Sequence, residues 1–183
     1  MGRDKARLSW AGEPLASRVA ARVRAACGQA VLVGGGAGRS YEDLGWPWWP
    51  DPPELAGAGP LAGLLTALTI AERILLVACD LPAIEPELLR RIVALARGRP
   101  AGIPVIGGRL QPLCAVYGSE VAAQARASIA VGSRRMSDLY SVPGVLRLPE
   151  GALGTPGQVA HQFDNLNDLS ALDRYPELRL TSP

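Results

Sequence analysis

The chain has 183 residues, 48% of them apolar and 20% charged, with a formal net charge of +2. That size suits one domain burying about 70% of its unfolded surface, and charge this balanced, without a long basic block, argues against nucleic-acid binding. No apolar run reaches membrane-spanning length and no signal-peptide pattern opens the chain, so a cytoplasmic protein without membrane partners is expected.

Pro14 to Cys27 sets Leu15, Val19, Val23 and Ala26 at helical spacing, opened by proline and closed by Gly28. Ala30 to Val33 is a short apolar run ending in glycines, the pattern of a buried parallel strand. Residues 41–59 are dense in Pro, Gly and Trp and predict a long irregular loop. Pro60 opens a second helix. Arg73 to Cys79 reads as a further apolar strand, followed by Asp80-Leu81-Pro82. Glu85 to Arg97 reads as a third helix, its acidic start and basic end matching the helix dipole. Two strands around the turn GGRLQ come next, then a helix from Ser119 to Val131 and a helical stretch from Arg135 to Tyr140. A short strand at GVLRL and a last helix capped by Asn167 or Asp168 complete the pattern. Alternating strands and helices predict one α/β domain over residues 1–183, a sandwich around a mainly parallel sheet with right-handed crossovers. In such sheets ligands bind outside the carboxyl ends of strands.

That rule selects the residues that bear on chemistry. Asp80 directly follows a strand and can hold Mg²⁺ against a phosphate, or simply cap the next turn. GAGPLAG starts a helix, where free N–H groups receive phosphate or a base carbonyl; a tight turn requiring glycine is the alternative. Asp51 can contact a nucleoside or metal, or serve as a turn residue. Trp46, Trp48 and Trp49 can form a stacking platform, or pack the long loop. Arg134 and Arg135 can grip a phosphate, or begin a solvated helix. Asn165 and Asn167, two apart, can both face one ligand, or cap the last helix. His161, the single histidine, has no nucleophile pattern around it, which argues against a Ser-His-Asp triad. Cys27, Cys79 and Cys114 are odd in number and widely spaced, and read as buried thiols of a reducing compartment. Lys5 is the one lysine among nineteen basic residues, in a chain whose Arg, Ala, Gly and Pro usage points to a GC-rich coding bias.

Taken together, MGRDKARL, GPLAG, VACDLP, LQPLCAVY, GSRRMSDL and FDNLND, in this order and spacing, resemble the molybdenum cofactor guanylyltransferase family. The resemblance spans almost the whole chain. It implies a Rossmann-like, three-layer sandwich of the nucleotidyltransferase type. It also implies transfer of GMP from GTP to molybdopterin with release of pyrophosphate, with Mg²⁺ as cofactor and cofactor-delivery proteins as further partners. Lys5 and Asp80 would be catalytic, Asp80 as metal ligand. Gly2, Asp4, Lys5, Asp51, Gly59, Pro60, Leu61 and Gly63 would hold the nucleotide. Arg134, Arg135, Asn165 and Asn167 would face the pterin phosphate. Where the family often has an asparagine contacting guanine, this chain has Gly34-Gly35-Gly36. Transfer from CTP, a different acceptor, and a short non-catalytic paralogue serving as a binding or assembly subunit are the alternative readings.

The family signature opens with a central strand and a glycine-rich phosphate loop, and only its end, Met1, Gly2, Asp4 and Lys5, has a counterpart here. The resemblance therefore implies that Met1 is an internal methionine and that the first central strand lies upstream. Five apolar side chains of such a strand are worth on the order of 10 kcal/mol. A domain's whole stability is only about 5–15 kcal/mol. Without that strand the chain is expected to be marginal in stability and to leave its neighbouring strands with open edges.

Overall fold

A computed structural model describes residues 4–35 and 39–164. Gly2, Asn165, Asn167 and the expected last helix lie outside the described residues.

A single 3₁₀ turn, Lys5–Arg7, leads into a small hairpin of β1 (Ser9–Trp10) and β2 (Glu13–Pro14). Helix α1 (Leu15–Cys27) follows and stops at Gly28, whose left-handed φ of 83° and N–H bond to the Arg24 carbonyl close its last turn. The expected strand after it is only two residues, β3 (Leu32–Val33), paired in parallel with β4 (Trp48–Trp49) from within the long loop. Then come α2 (Pro60–Leu68), β5 (Arg73–Val77), α3 (Pro86–Leu95), β6 (Ala101–Ile106), β7 (Arg109–Leu110) and β8 (Cys114–Gly118). The chain continues through α4 (Ala122–Ala130), a 3₁₀ segment at Met136–Ser141, and β9 (Leu146–Pro149). Two short helices, α5 (Glu150–Leu153) and α6 (Pro156–Gln162), end the described part. These last two carry too few turns to show a periodicity, although proline just after Thr155 marks the start of α6.

In the main sheet β8 lies between β5 and β6 and runs antiparallel to both, while β9 pairs in parallel with β6. Strands β5, β6 and β9 therefore share one direction. Their alternation separates two cores. Ile74, Leu76, Ala101, Ile103, Ala115 and Tyr117 face α2 and α4, whereas Leu75, Val77, Cys114, Val116 and Leu148 face α3 and α6. That is the three-layer arrangement, with helices on both faces of one sheet. Tyr117 is fully buried, and its hydroxyl donates to the Pro112 carbonyl at 2.8 Å; burial pushes its phenol far above the ordinary range. Gly102 on β6 is packed against Ala96, just past the end of α3, where a Cβ would collide with the Ala96 methyl.

Two sequence expectations are modified. Cys114 is buried as expected and its thiol is pushed up to about 12, but Cys27 is exposed, because it is the final residue of α1, at the helix's open end. The expected apolar strand from Arg73 to Cys79 is Arg73–Val77, and it is only partly covered rather than buried. The two helical layers shield its faces, while its edge opposite β8 pairs with no other strand among the described residues.

Candidate active site

The site forms where β5 ends. The chain leaves the sheet at Val77, turns through Cys79 and Asp80, and buries Leu81 and Ile84 to anchor the turn. Asp80 is thereby held on the carboxyl edge with its side chain 17% exposed. Lys5, 75 positions earlier, reaches it with Nζ 3.4 Å from Oδ2. Asp4 is the reason Lys5 is held there. Its Oδ1 accepts the Ala6 N–H at 3.1 Å, capping the turn that carries Lys5, and accepts the Tyr41 hydroxyl at 3.3 Å.

Tyr41 belongs to the long loop, and Arg7 clamps that loop from the other side. Both Arg7 nitrogens donate to Asp43, at 2.6 and 2.7 Å, and one also donates to the Ser40 carbonyl. The Arg7 guanidinium holds the Asp43 carboxyl below its usual range. Two of the three loop tryptophans pack it, while Trp49 is exposed. Trp48 donates to the Gly34 carbonyl at 2.8 Å and meets Tyr41 edge-on, and Trp46 lies under the Arg24 guanidinium. Gly35, with φ of 84°, must be glycine, because a Cβ there would sit 3.0 Å from the Arg39 carbonyl oxygen and 3.2 Å from the Tyr41 ring. Gly34 and Gly35 thus serve the loop's path beneath Tyr41 and Trp48.

The other predicted residues gather around the start of α2. Gly59 takes a φ of 64° ahead of Pro60, and Gly63 packs against Val33 of β3, a Cβ at Gly63 lying 3.7 Å from it. Leu61 is fully buried, so only its main chain is available to a ligand. Asp51 accepts the Thr66 hydroxyl at 2.7 Å and points toward Gly34. Arg134 lies over the same turn, with Nη2 3.8 Å from where a Cβ on Gly57 would stand. Arg134 and Arg135 are exposed, and the buried Met136 fixes the segment that carries them. His161 is on α6, with Nδ1 3.6 Å from Asp164. The structure therefore brings together Lys5 with Asp80 and Arg134 with Gly57 and Gly59, and lines one cavity with Asp51, Gly59, Pro60 and Gly63. Tyr41, Thr66 and Arg7 escaped the sequence reading. Each acts only through its partner, and Thr66 inside GLLTAL reads as one more core position of a helix.

Burial raises the Asp51 carboxyl above its ordinary range, and the Thr66 hydrogen bond opposes part of that shift. A carboxyl with a raised folded-state pKa holds its proton longer in the folded than in the unfolded chain, so its contribution weakens stability as pH rises through that window. Asp51→Asn keeps an acceptor for Thr66 and removes the charge. It is expected to be neutral toward stability below the carboxylate range and stabilising near neutrality, as read by urea midpoints at the two pH values.

The pattern of the MobA-like NTP transferase domain matches residues 1–143. The chain belongs to that family. A MobA-like transferase from Pelotomaculum thermopropionicum, described as a probable molybdenum cofactor guanylyltransferase, is 33% identical over 174 residues, covering 94% of this chain and 83% of that one. A molybdenum cofactor guanylyltransferase from Rhodobacter capsulatus is 30% identical over 190 residues, covering 100% and 92%. The MobA-like fold is seen directly in the molybdopterin-guanine dinucleotide biosynthesis protein A of Archaeoglobus fulgidus. Its crystal structure aligns with a TM-score of 0.78 over 96% of this chain and 90% of that one, at 23% identity. Within a MobA-like transferase, the carboxylate in the turn after β5 and the lysine facing it stand at the edge of the sheet where this class of fold binds ligands.

Proposed function

We propose that this chain is a guanylyltransferase of molybdenum cofactor biosynthesis, moving GMP from GTP onto molybdopterin. A phosphate oxygen of molybdopterin attacks the α-phosphorus of GTP, the bond to the β-phosphate oxygen breaks, and pyrophosphate leaves. The reading is supported by the Lys5–Asp80 pair, formed across 75 positions at the ligand edge, in a chain whose relatives bearing that name align along nearly its whole length.

Phosphoryl and nucleotidyl transfers depend mainly on positioning and charge compensation. Lys5 places its ammonium where the phosphates would lie, and Asp4 keeps it there by capping its turn. The first turn of α2, Gly59 to Gly63, presents main-chain N–H groups and the positive end of a nine-residue helix toward the nucleotide. Asp51 borders the same space, and Arg134 and Arg135 offer guanidinium groups for the phosphate of the acceptor. Asp80 suits a Mg²⁺ that keeps water and phosphate oxygens in its remaining positions, since such an ion needs only one or two carboxylates. Among the described residues there is no cluster of three or more metal-binding side chains, so an all-protein cage is not what this site offers. The bound ion would supply charge neutralisation across the phosphates.

The deciding experiment measures pyrophosphate release with molybdopterin present and GTP, CTP or ATP as donor. GTP-dependent release is expected; preference for CTP overturns the guanylyl assignment, and release with none of them overturns the enzyme reading. Lys5→Ala is expected to lower kcat by about 100-fold while changing KM for GTP much less, because its contact is strongest in the transition state. A rise in KM alone would instead assign Lys5 to ground-state binding.

A further inference from the structure

Lys5 rides on a single 3₁₀ turn, Lys5–Arg7. Two main-chain bonds close it, from the Arg7 N–H to the Asp4 carbonyl at 3.2 Å and from the Leu8 N–H to the Lys5 carbonyl at 3.1 Å. A turn this short has poor hydrogen-bond geometry and no cooperativity, so contacts from elsewhere must fix its path. The lysine side chain is long, flexible and 34% exposed, so its reach to Asp80 is set by where that backbone stands. One anchor is local, the buried Ala6. The others come from Ser40, Tyr41 and Asp43, between 33 and 37 positions away.

These contacts form a closed circuit around the Asp4 carboxylate. Its Oδ1 accepts both the Ala6 N–H and the Tyr41 hydroxyl, and its Oδ2 lies 3.9 Å from Arg7 Nε. Arg7 in turn reaches the Ser40 carbonyl and the Asp43 carboxylate, on either side of Tyr41, and its guanidinium stands 5.8 Å from the centre of the Tyr41 ring. The two links differ in weight. Arg7 and Asp43 are exposed, and an ion pair in water does little to hold a backbone in place. The Tyr41–Asp4 contact is partly buried, and its ring is held by Trp48, edge-on at 6.2 Å between centroids, in space that Gly35 leaves open. Burial, and then the Asp4 carboxylate, raise the phenol above its ordinary range, so it stays protonated and donates. The hydroxyl is thus a fixed donor. It holds the carboxylate in the orientation that caps Ala6, and that cap points Lys5 at Asp80.

We infer that Tyr41 is a positioning residue for Lys5, holding its ammonium opposite Asp80 through the shared Asp4 carboxylate. Asp51 lies further along the same loop, bonded to Thr66 of α2. One loop therefore carries contacts to both parts of the site, the Lys5–Asp80 pair and the helix that opens at Pro60. The effect on turnover rests on the guanylyltransferase reading; the placement of Lys5 does not.

Lys5 is the one lysine of the chain, so protein grown on isotope-labelled lysine gives a single side-chain Cε signal in carbon NMR, already assigned. Its scale runs from the parent position to that of the urea-unfolded chain. Tyr41→Phe keeps the ring against Trp48 and removes only the donor. It is expected to move the signal toward the unfolded position while circular dichroism and thermal midpoint stay near those of the parent. Asp43→Ala is expected to move it less. Ser17→Ala removes a different tie to the loop, the bond from the Ser17 hydroxyl to the Leu44 carbonyl at 3.3 Å, and is expected to leave the signal in place. In pyrophosphate-release assays Tyr41→Phe should lower kcat about 10-fold with little change in KM for GTP. In a Lys5→Ala background it should add less than about 2-fold, because both act through one group. An unmoved signal in Tyr41→Phe overturns the proposal, and loss of fold in that variant overturns it by making the hydroxyl a structural group. An equal shift in Ser17→Ala overturns it as general loosening of the loop, and a larger one in Asp43→Ala assigns the positioning to Arg7 instead. A further loss of about 10-fold in the Lys5→Ala background shows Tyr41 acting by another route and overturns it too. If the parent releases no pyrophosphate, the guanylyltransferase reading fails and the Lys5 signal still decides this inference.

Discussion

Asp80→Ala is expected to reduce metal-dependent transfer by about 1,000-fold, measured as pyrophosphate release at saturating GTP and molybdopterin. The carboxylate stands at the sheet edge with its side chain 17% exposed, so its removal empties no core position. The turn around it is anchored by Leu81 and Ile84, both buried, and by the Pro82 carbonyl, which accepts the Arg18 guanidinium at 3.1 Å. Thermal midpoint and circular dichroism should therefore remain near those of the parent. The loss should appear mainly in kcat, since the carboxylate would act through charge held against the phosphates during transfer. Retained turnover would show that Asp80 only shapes its turn. Loss of fold together with turnover would assign it a structural role.

Gly102→Ala tests the packing that carries the sheet. A Cβ at Gly102 would collide with the Ala96 side chain and approach its Cα to 3.1 Å, and neither atom is the free end of a flexible side chain. Relief requires α3 and β6 to move apart along a contact that includes the fully buried Ile92 and Leu89. Overpacking of this kind costs about 2–3 kcal/mol. In a domain of this size that lowers the thermal midpoint by roughly 4–12 °C. Gly151, on α5, has no atom within 4 Å of an added Cβ, so Gly151→Ala should leave the midpoint unchanged or slightly raised. Equal behaviour of the two variants would show that α3 and β6 are not in rigid contact.

Both predictions draw on residues whose meaning differs between chain and fold. The position of Asp80 just past a strand was legible in the sequence, because LLVACDLP combines an apolar run with a carboxylate and a turn-forming proline. The layers were legible for the same local reason. The unbroken apolar run LCAVYG reports a strand covered on both faces, the helical period in PLASRVAARV reports one apolar helix side, and the structure sorts alternate residues of the strand into its two cores. The glycine that stops α1 was equally visible, as was the start of α2 at Pro60. The resemblance to the guanylyltransferase family rested on six short segments, and the family match extends over residues 1–143.

What the chain could not show by itself is how its separate segments meet. The pairing of Lys5 with Asp80 spans 75 positions and follows from α1 crossing the sheet face before β5 is laid down. The Asp4–Tyr41 and Asp51–Thr66 contacts are of the same kind, each joining polar groups that look unremarkable in their own neighbourhoods. Trp48 resolves into packing only when Gly34 supplies the carbonyl that it needs. The difference is sharpest at β5. Its residues, RILLV, specify a strand with two apolar faces, because periodicity records the faces of an element. Its edges bond through main-chain groups common to every residue type, so the residues of β5 themselves carry no mark of whether a strand lies beside it, and open strand edges were expected only from the resemblance. Only the tertiary structure shows β8 on one edge of β5 and an apolar slot along the other.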